Sequence, residues 1–193
     1  LILQQKRWWK KQNLSTKLTF GNMLVFDLET DGLLNDVTCI HCLVIYDSEA
    51  DETYVYNDKG SEEPIVRGIQ LLEDAEIICG HNVISYDIPV IEKLYPWFVS
   101  TALVIDTLLL SRLYHADMMA VDKKRNIPRM PQQLYGRHSL ESYGYRLGEY
   151  KGEFGKTTDW KDWSQEMQDY CIQDVNVTKK LCEHFHPYLS GSH

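Results

Sequence analysis

The chain has 193 residues, 44% hydrophobic and 25% charged, with a formal net charge of −8, a composition that fits one globular domain with a sizeable core. No apolar run approaches the roughly 18 residues of a membrane span, and no apolar leader with a cleavage site opens the chain, so neither a membrane partner nor export is expected. The acidic balance excludes a uniformly attractive surface for nucleic acid; such a partner would need metal ions or local basic patches.

Residues 1–22 contain Lys6, Arg7, Lys10, Lys11 and Lys17 and no acid, so they carry +5 and leave −13 for the remainder. They lack a clean helical or strand period and start without Met, whereas Met23 stands directly before the first strong strand. A native basic arm, the remnant of a longer chain and a non-native extension all fit. In the first case Trp8 and Trp9 could stack on a nucleic acid strand beside the basic residues. Residues 23–187 read as the folded domain. Residues 188–193 read as a tail, with SGSH in part non-native.

MLVFDL (23–28) reads as a strand, TCIHCLVIYD (38–47) as a second and ETYVYN (52–57) as a third. The five cysteines are odd in number and lack disulfide-like spacing, which fits free thiols in a reducing compartment. Cys39 and Cys42 form a CxxC, but inside a strand and without a second pair, so plain thiols are expected there too. EEPIVRGIQLL suggests a helix starting near Pro64, and EIIC a short buried strand. YDIPVIEKLY suggests a helix that tolerates Pro89 in its first turn. ALVI is a further short strand, and Asp106 is placed to cap the helix DTLLLSRLY. Residues 114–137 read mostly as loop. HSLESYGYRLG is expected to be a helix ending at Gly148, and SQEMQDYCIQDVNVTKKLCEHF the long final helix. Strands first and strand–helix alternation afterwards imply an α/β fold whose central sheet is mixed and flanked by helices.

Three short stretches carry acids where apolar patterning would exclude them. In VFDLET, Asp27 and Glu29 share one face of a strand near its C-terminal end, where ligands of open α/β sheets bind. In GHNVISYD, a strand-to-helix turn delivers Asp87 to the start of a helix. In DYCIQD, Tyr170 and Asp174 lie one turn apart on a helix that also has buried residues. Each has a plain alternative: solvated acids at a strand exit, a helix-terminal Asp, an Asp with a local partner. Four acids brought together would repel strongly. Hard oxygen ligands of this kind suit a pair of divalent cations, which can activate water and stabilise a leaving oxygen in phosphodiester cleavage.

FDLET, HNVISYD and YCIQD, in this order, resemble the three motifs of the DEDD (DnaQ-like) 3′–5′ exonuclease superfamily, and the YxxxD spacing resembles its DEDDy branch. VIDTLLLSRLYH, HSLESYGYRLGEYKGEF and DYCIQDVNVTKKL look like the proofreading domain of the family A DNA polymerases of T-odd, short-tailed phages. The resemblance implies an RNase H-like fold, a 3′–5′ DNA exonuclease releasing nucleoside 5′-monophosphates, and two Mg²⁺ or Mn²⁺ ions. It implies single-stranded DNA or frayed 3′ ends as partner, a DNA polymerase in the same or another chain, and the cytoplasm of a bacterial or phage-infected cell. Asp27, Glu29 and Asp174 would hold the ion carrying the attacking water, and Asp27 would bridge to a second ion supported by Asp87. Tyr170 would orient the water, with a hydroxyl too weakly acidic to serve as general base. Leu28, Thr30 and the backbone after Glu29 would meet the terminal nucleotide, Leu33 would wedge between the last two bases, and Asn82 would fix its turn or touch the strand. His81, His115 and His138 are read as structural, capping or surface residues, and Asp106 as a cap alone. Lys123, Lys124, Arg125, Arg129, Arg137, Lys151 and Lys156 are candidates for a strand-binding groove. An RNase D-like RNA exonuclease is the alternative enzyme. A binding module without catalysis is the non-enzymatic one, disfavoured because all four acids are present.

Overall fold

Alternation along the first apolar run sets the architecture. In the computed structural model, which describes residues 23–149 and 160–191, this run is strand β1, Met23–Thr30. Leu24, Phe26 and Leu28 enter one hydrophobic cluster, whereas Met23 and Val25 enter another on the opposite face of the sheet. A strand buried on both sides belongs at the centre, and β1 is the middle of five in the order β3-β2-β1-β4-β5. β2 (Ile40–Asp47) pairs antiparallel with β1, and β3 (Glu52–Tyr56) antiparallel with β2. β4 (Ile77–Gly80) and β5 (Leu103–Asp106) continue the sheet in parallel. The mixed sheet expected from the order of elements is therefore present.

Helices α1 (Ile65–Glu73) and α2 (Asp87–Leu94) cover one face, contributing Ile65, Ile69, Leu72, Val90 and Ile91 to the first cluster. The long helix α6, Gln165–Ser190, lies on the other face and buries Met167, Cys171 and Val175 against Met23, Val25, Cys42 and Val44. Each fully buried aliphatic side chain contributes about 1.5–3 kcal/mol, so the same burial that stabilises the sheet also fixes α6 across β1. Helices α3 (Thr107–Tyr114), α4 (Met118–Arg125) and α5 (Leu140–Leu147) complete the described elements and pack on α6. Met118, Leu140 and Tyr143 pack on Val177, Leu181 and Phe185 of α6. Asp106 caps α3 as expected, accepting from the amides of Leu108 at 2.9 Å and Leu109 at 3.4 Å. Ser139 caps α5, and Gly148 ends it at φ +75°.

Three expectations are corrected. Residues 114–137 are not mostly loop: they contain α4 and a 3-10 turn at Gln132–Leu134. MMAVDKKR has no apolar stripe to reveal a helix; it buries only Met118 and Asp122, one turn apart, and the second is held by Arg146. The tail expected from residue 188 begins inside α6, where Tyr188 stacks on Tyr114 with ring centroids 4.7 Å apart. The helix runs through Pro187 and closes on Gly191 at φ +69°. Finally, Cys79 of β4 and Cys182 of α6 are joined as a disulfide, while Cys39, Cys42 and Cys171 are free. A sequence separation of 103 residues says nothing about proximity, which here follows from α6 lying across the sheet. The expectations for Trp8, Trp9, Lys151 and Lys156 lie outside the described residues. Among the described residues, no helix is long and apolar enough to cross a membrane.

Candidate active site

The alternation that sends Met23 and Val25 toward α6 sends Asp27 and Glu29 to the same side. At the C-terminal end of β1 this face is less covered: Asp27 and Glu29 are half-buried while Leu28 between them is buried in the opposite cluster. The ladder with β2 slips between Glu29 and Thr30, an irregularity that turns the strand out of the sheet. Helix α6 crosses here. Tyr170 is half-buried, Asp174 is 6% exposed, and the Cys171 thiol donates to the Asp27 carbonyl oxygen at 3.4 Å and to its Oδ2 at 3.5 Å. Asp27, Glu29 and Cys171 offer ligand atoms all within 4.8 Å of one another. Burial, with Cys42 next in effect, holds the Cys171 thiol well above its ordinary pKa. It therefore sits beside Asp27 as a neutral donor.

Asp87 arrives from β4. Gly80 ends that strand where a Cβ would lie 2.0 Å from Val83 Cγ1 and 3.0 Å from the Phe26 carbonyl oxygen, so only glycine lets the turn pass this close to β1. Asn82 follows at φ +69°. Its amide and that of Ile84 donate to the Asp106 carboxylate at 3.0 and 3.2 Å. Its carbonyl accepts from Ser85 and Tyr86, both at 3.1 Å. His81 is tied to Thr107 Oγ1 at 2.9 Å. Asp106 is thus more than a helix cap: its buried carboxylate serves four backbone N–H groups and joins the turn before Asp87 to the start of α3. Asp87 itself is pushed up to about 7, chiefly by burial and further by the charges of Asp106 and Asp174, against the pull of N–H bonds from its own amide and from Leu28.

These side chains face one cavity of about 710 Å³. Asp27, Leu28, Glu29, Asn82, Asp87, Tyr170 and Asp174 line it, and so do Arg112, Arg137 and His138. The catalytic and metal candidates read from the sequence are therefore brought together from β1, α2 and α6. Leu28 contributes through its main chain, its side chain being in the core. Thr30 and Leu33 line an adjoining cavity of about 290 Å³ together with Glu29, Gly32, Tyr86 and Trp160. The Thr30 hydroxyl meets Tyr86 Oη at 2.5 Å and donates to the Gly32 carbonyl at 2.9 Å, so it shapes the turn. Leu33 projects into solvent, 76% exposed.

Tyr86, Trp160 and Arg112 escaped sequence reasoning: Tyr86 and Arg112 lie inside stretches read for other residues, and Trp160 carries no motif. His138, expected at the surface or at a helix N-terminal turn, stands directly before the Ser139 cap of α5, where it lines the cavity and its Nδ1 bonds Ser111 Oγ at 2.5 Å. His115 packs on Phe185 and meets His184, Nε2 to Nε2, at 2.8 Å. Of the candidate groove residues, Arg137 reaches the site, Arg129 lines a separate cavity beside Gly144 and Gly148, and Lys123, Lys124 and Arg125 are exposed on the last turn of α4.

Comparison with known proteins agrees with this arrangement. Residues 24–186 match the model of the RNase H superfamily. The DNA-directed DNA polymerase of Escherichia phage T7 is 35% identical over 190 residues, covering 83% of this chain and 26% of the polymerase. The chain thus spans about a quarter of that relative's length. Among solved structures, Brucella melitensis NrnC bound to pGG superposes with a TM-score of 0.58 at 17% identity, covering 93% of this chain and 78% of that one. A further structure of NrnC has bound Mg²⁺. The Aedes aegypti Nibbler EXO domain gives a TM-score of 0.53 at 12% identity, covering 97% and 91%. The fold, the extent of the sequence match and the acids at the sheet's C-terminal edge converge on one assignment: the chain belongs to the RNase H superfamily.

Proposed function

We propose that this chain is a metal-dependent 3′–5′ exonuclease of the DEDDy type that removes nucleoside 5′-monophosphates from DNA 3′ ends. The observation that carries this reading is the convergence of Asp27, Glu29, Asp87 and Asp174, with Tyr170, on one cavity from three separate elements. The T7 polymerase likeness supports DNA as the substrate, and proofreading beside a polymerase as the setting.

The donor set fits divalent cations. Four hard carboxylates crowd a site where burial and neighbouring acids already push Asp87 to about 7, and a nearby cation would reverse that penalty. Asp27, Glu29 and Asp174 would hold one Mg²⁺ or Mn²⁺, and Asp27 with Asp87 a second. When bound, such ions supply an activated water and charge stabilisation of the leaving oxygen. The chain's own residues do the rest. Tyr170 orients the water by hydrogen bonding through its hydroxyl. Asp106 holds the Asn82 turn, and with it Asp87, in place. Arg112 and Arg137, which line the same cavity, attract the phosphodiester backbone to a site rich in acids.

The test is degradation of 3′-labelled single-stranded DNA in Mg²⁺ or Mn²⁺, with a matched RNA in parallel. DNA should be shortened from its 3′ end, and Asp27→Ala or Asp174→Ala should abolish shortening. Equal rates in wild type and variants would remove the assignment. Faster loss of RNA would redirect it to an RNase D-like enzyme, and metal-independent binding without turnover to a binding module.

A further inference from the structure

Helix α3 closes on His115, its C-cap, and α6 passes beside that end with His184. The two residues are 69 positions apart in sequence, yet Nε2 of one ring stands 2.8 Å from Nε2 of the other. Aromatic neighbours hold both rings. His115 lies 5.4 Å from the Phe185 ring centroid at 36° and 5.8 Å from that of Tyr188 at 86°, and His184 lies 5.0 Å from that of Phe185 at 73°. Phe185 is itself fully buried, so the pair rests on the core while His184 remains exposed.

Burial holds both imidazoles below their ordinary pKa. At His115, Asp117 opposes this and His138, Arg125 and Arg146 add to it; at His184, His115 and Arg125 add to it. In a neutral pair the contact is one N–H donating to one lone pair, so a single proton sits where two nitrogens converge. A cation can take its place. The proton then moves from Nε2 to Nδ1 of the same ring, while the other ring already carries its proton on Nδ1. Both Nε2 lone pairs become ligands and no net proton is released. Two nitrogens at about 2.0–2.1 Å from a tetrahedral ion stand about 3.3 Å apart, so the rings must part by about half an ångström, a movement that the exposed His184 can supply.

We propose that His115 and His184 bind a nitrogen-preferring divalent ion of the Zn²⁺ class, which clasps the end of α3 to α6. Imidazole ligands suit Zn²⁺, Ni²⁺ and Cu²⁺, whereas Mg²⁺ prefers oxygen. Among the described residues, no third His, Cys, Asp or Glu offers a ligand atom within 4.8 Å of both nitrogens, so water completes the coordination. The site is separate from the acid cluster: at 1.5 Å per residue, His184 lies about 15 Å along α6 from Asp174. The clasp therefore stands or falls independently of the exonuclease reading.

The experiment is thermal unfolding of the whole chain with Zn²⁺ as the probe. Zn²⁺ at tenfold its Kd should raise the Tm by about 3–6 °C. His115→Asn and His184→Asn should each remove most of this rise, read against that variant's own metal-free Tm so that a cost in folding does not mask the result. Asp27→Ala, which disables the acid cluster, should keep it. Any rise that Mg²⁺ produces should be the same in wild type and in both histidine variants. Cu²⁺ gives a second readout: its electron paramagnetic resonance spectrum should show coupling to two ring nitrogens in wild type and to fewer in either histidine variant. A Zn²⁺ rise that survives both histidine substitutions, or that vanishes in Asp27→Ala, would overturn the site. So would a Cu²⁺ spectrum that is identical in wild type and His184→Asn.

Discussion

Asp87 and Asp122 are both buried aspartates, and the molecule treats them in opposite ways. Asp122 is fully buried, yet Arg146 clasps it with two N–H bonds of 2.9 and 2.7 Å and the Gly136 amide adds a third at 2.8 Å. Burial alone would raise its pKa, but the Arg146 bonds and the Gly136 amide outweigh it and hold the carboxyl below its ordinary value. Asp87 is 4% exposed, and its charged neighbours are further acids, so it rises to about 7. The first acid ties α4 to α5 and to the loop that presents Arg137 and His138. At the second, the charges of Asp106 and Asp174 deepen the deficit that burial creates. A buried acid with its counter-ion built in serves the fold; one that its neighbours push up is suited to the cation proposed above.

Removing the built-in partner should give the largest effect. Arg146→Met leaves Asp122 charged and buried, and such a break costs about 3–5 kcal/mol, measurable by urea unfolding. The double variant Arg146→Met with Asp122→Asn should recover much of this loss. A single variant within about 1 kcal/mol of wild type would show that the pair is not what holds α4.

Asp106 tests the boundary between the two classes, because it serves the fold and the site together. Asp106→Ala strands four backbone N–H groups. A lost cap and an unsatisfied turn predict a loss of about 2 kcal/mol. Displacement of Asp87 predicts a further 10–100-fold fall in rate, the range for residues that orient metal ligands. The concentration of Mg²⁺ needed for half-maximal rate should rise as well. A variant that is less stable but activated by the same Mg²⁺ concentration would reduce Asp106 to a cap.

The two aspartates should also respond oppositely to pH. For Asp122 the folded pKa is depressed, so its contribution is present above the unfolded value near 3.8 and is lost as pH falls through the folded value. For Asp87 the folded pKa is raised, so the native state binds the extra proton. Its contribution favours folding most below pH 4 and declines as pH rises toward about 7. In EDTA, Asp87→Asn should therefore flatten a decline in stability between pH 4 and 7, and the variant should be the more stable protein at pH 7. Identical pH profiles for wild type and variant would contradict the burial assigned to Asp87.

What the sequence disclosed, and what it hid, follows the same division. Asp27, Glu29, Asp87 and Asp174 stood out because charges interrupt apolar patterns, and the strands and long helix stood out because their periods are regular. Helix α4 was hidden because the burial that holds it is an ion pair with a residue 24 positions away, which no local pattern records. The Cys79–Cys182 pairing and the His41–Trp160 bond span 103 and 119 residues and exist only because α6 and its approach lie across the sheet. Asp106 was read as a cap since that bond is local; its two bonds to the Asn82 turn are not.

The smallest effect is expected where function asks nothing of stability. Leu33 is 76% exposed, and its turn is made without its side chain. The Leu33 carbonyl accepts from Asp36 and Val37, both at 2.8 Å, and Lys93 Nζ bonds the carbonyls of Leu34 and Asn35, both at 3.0 Å. Asp31 closes the loop through Thr38 and Cys39, and these bonds outweigh its partial burial to hold its carboxyl at about 2. Leu33→Ala should therefore unfold within about 0.5 kcal/mol of wild type. An apolar wedge acts by prising base steps apart, so the variant should lose activity mainly on ends that must be unpaired. A blunt duplex end should be degraded roughly 3–10-fold more slowly, the unstacking of a step being worth a few kcal/mol of which one side chain supplies a part. A single strand, already open, should be affected less. Equal slowing on both substrates would mean that Leu33 only packs on the terminal nucleotide, and a fall in stability would mean that the loop depends on a side chain it leaves in solvent.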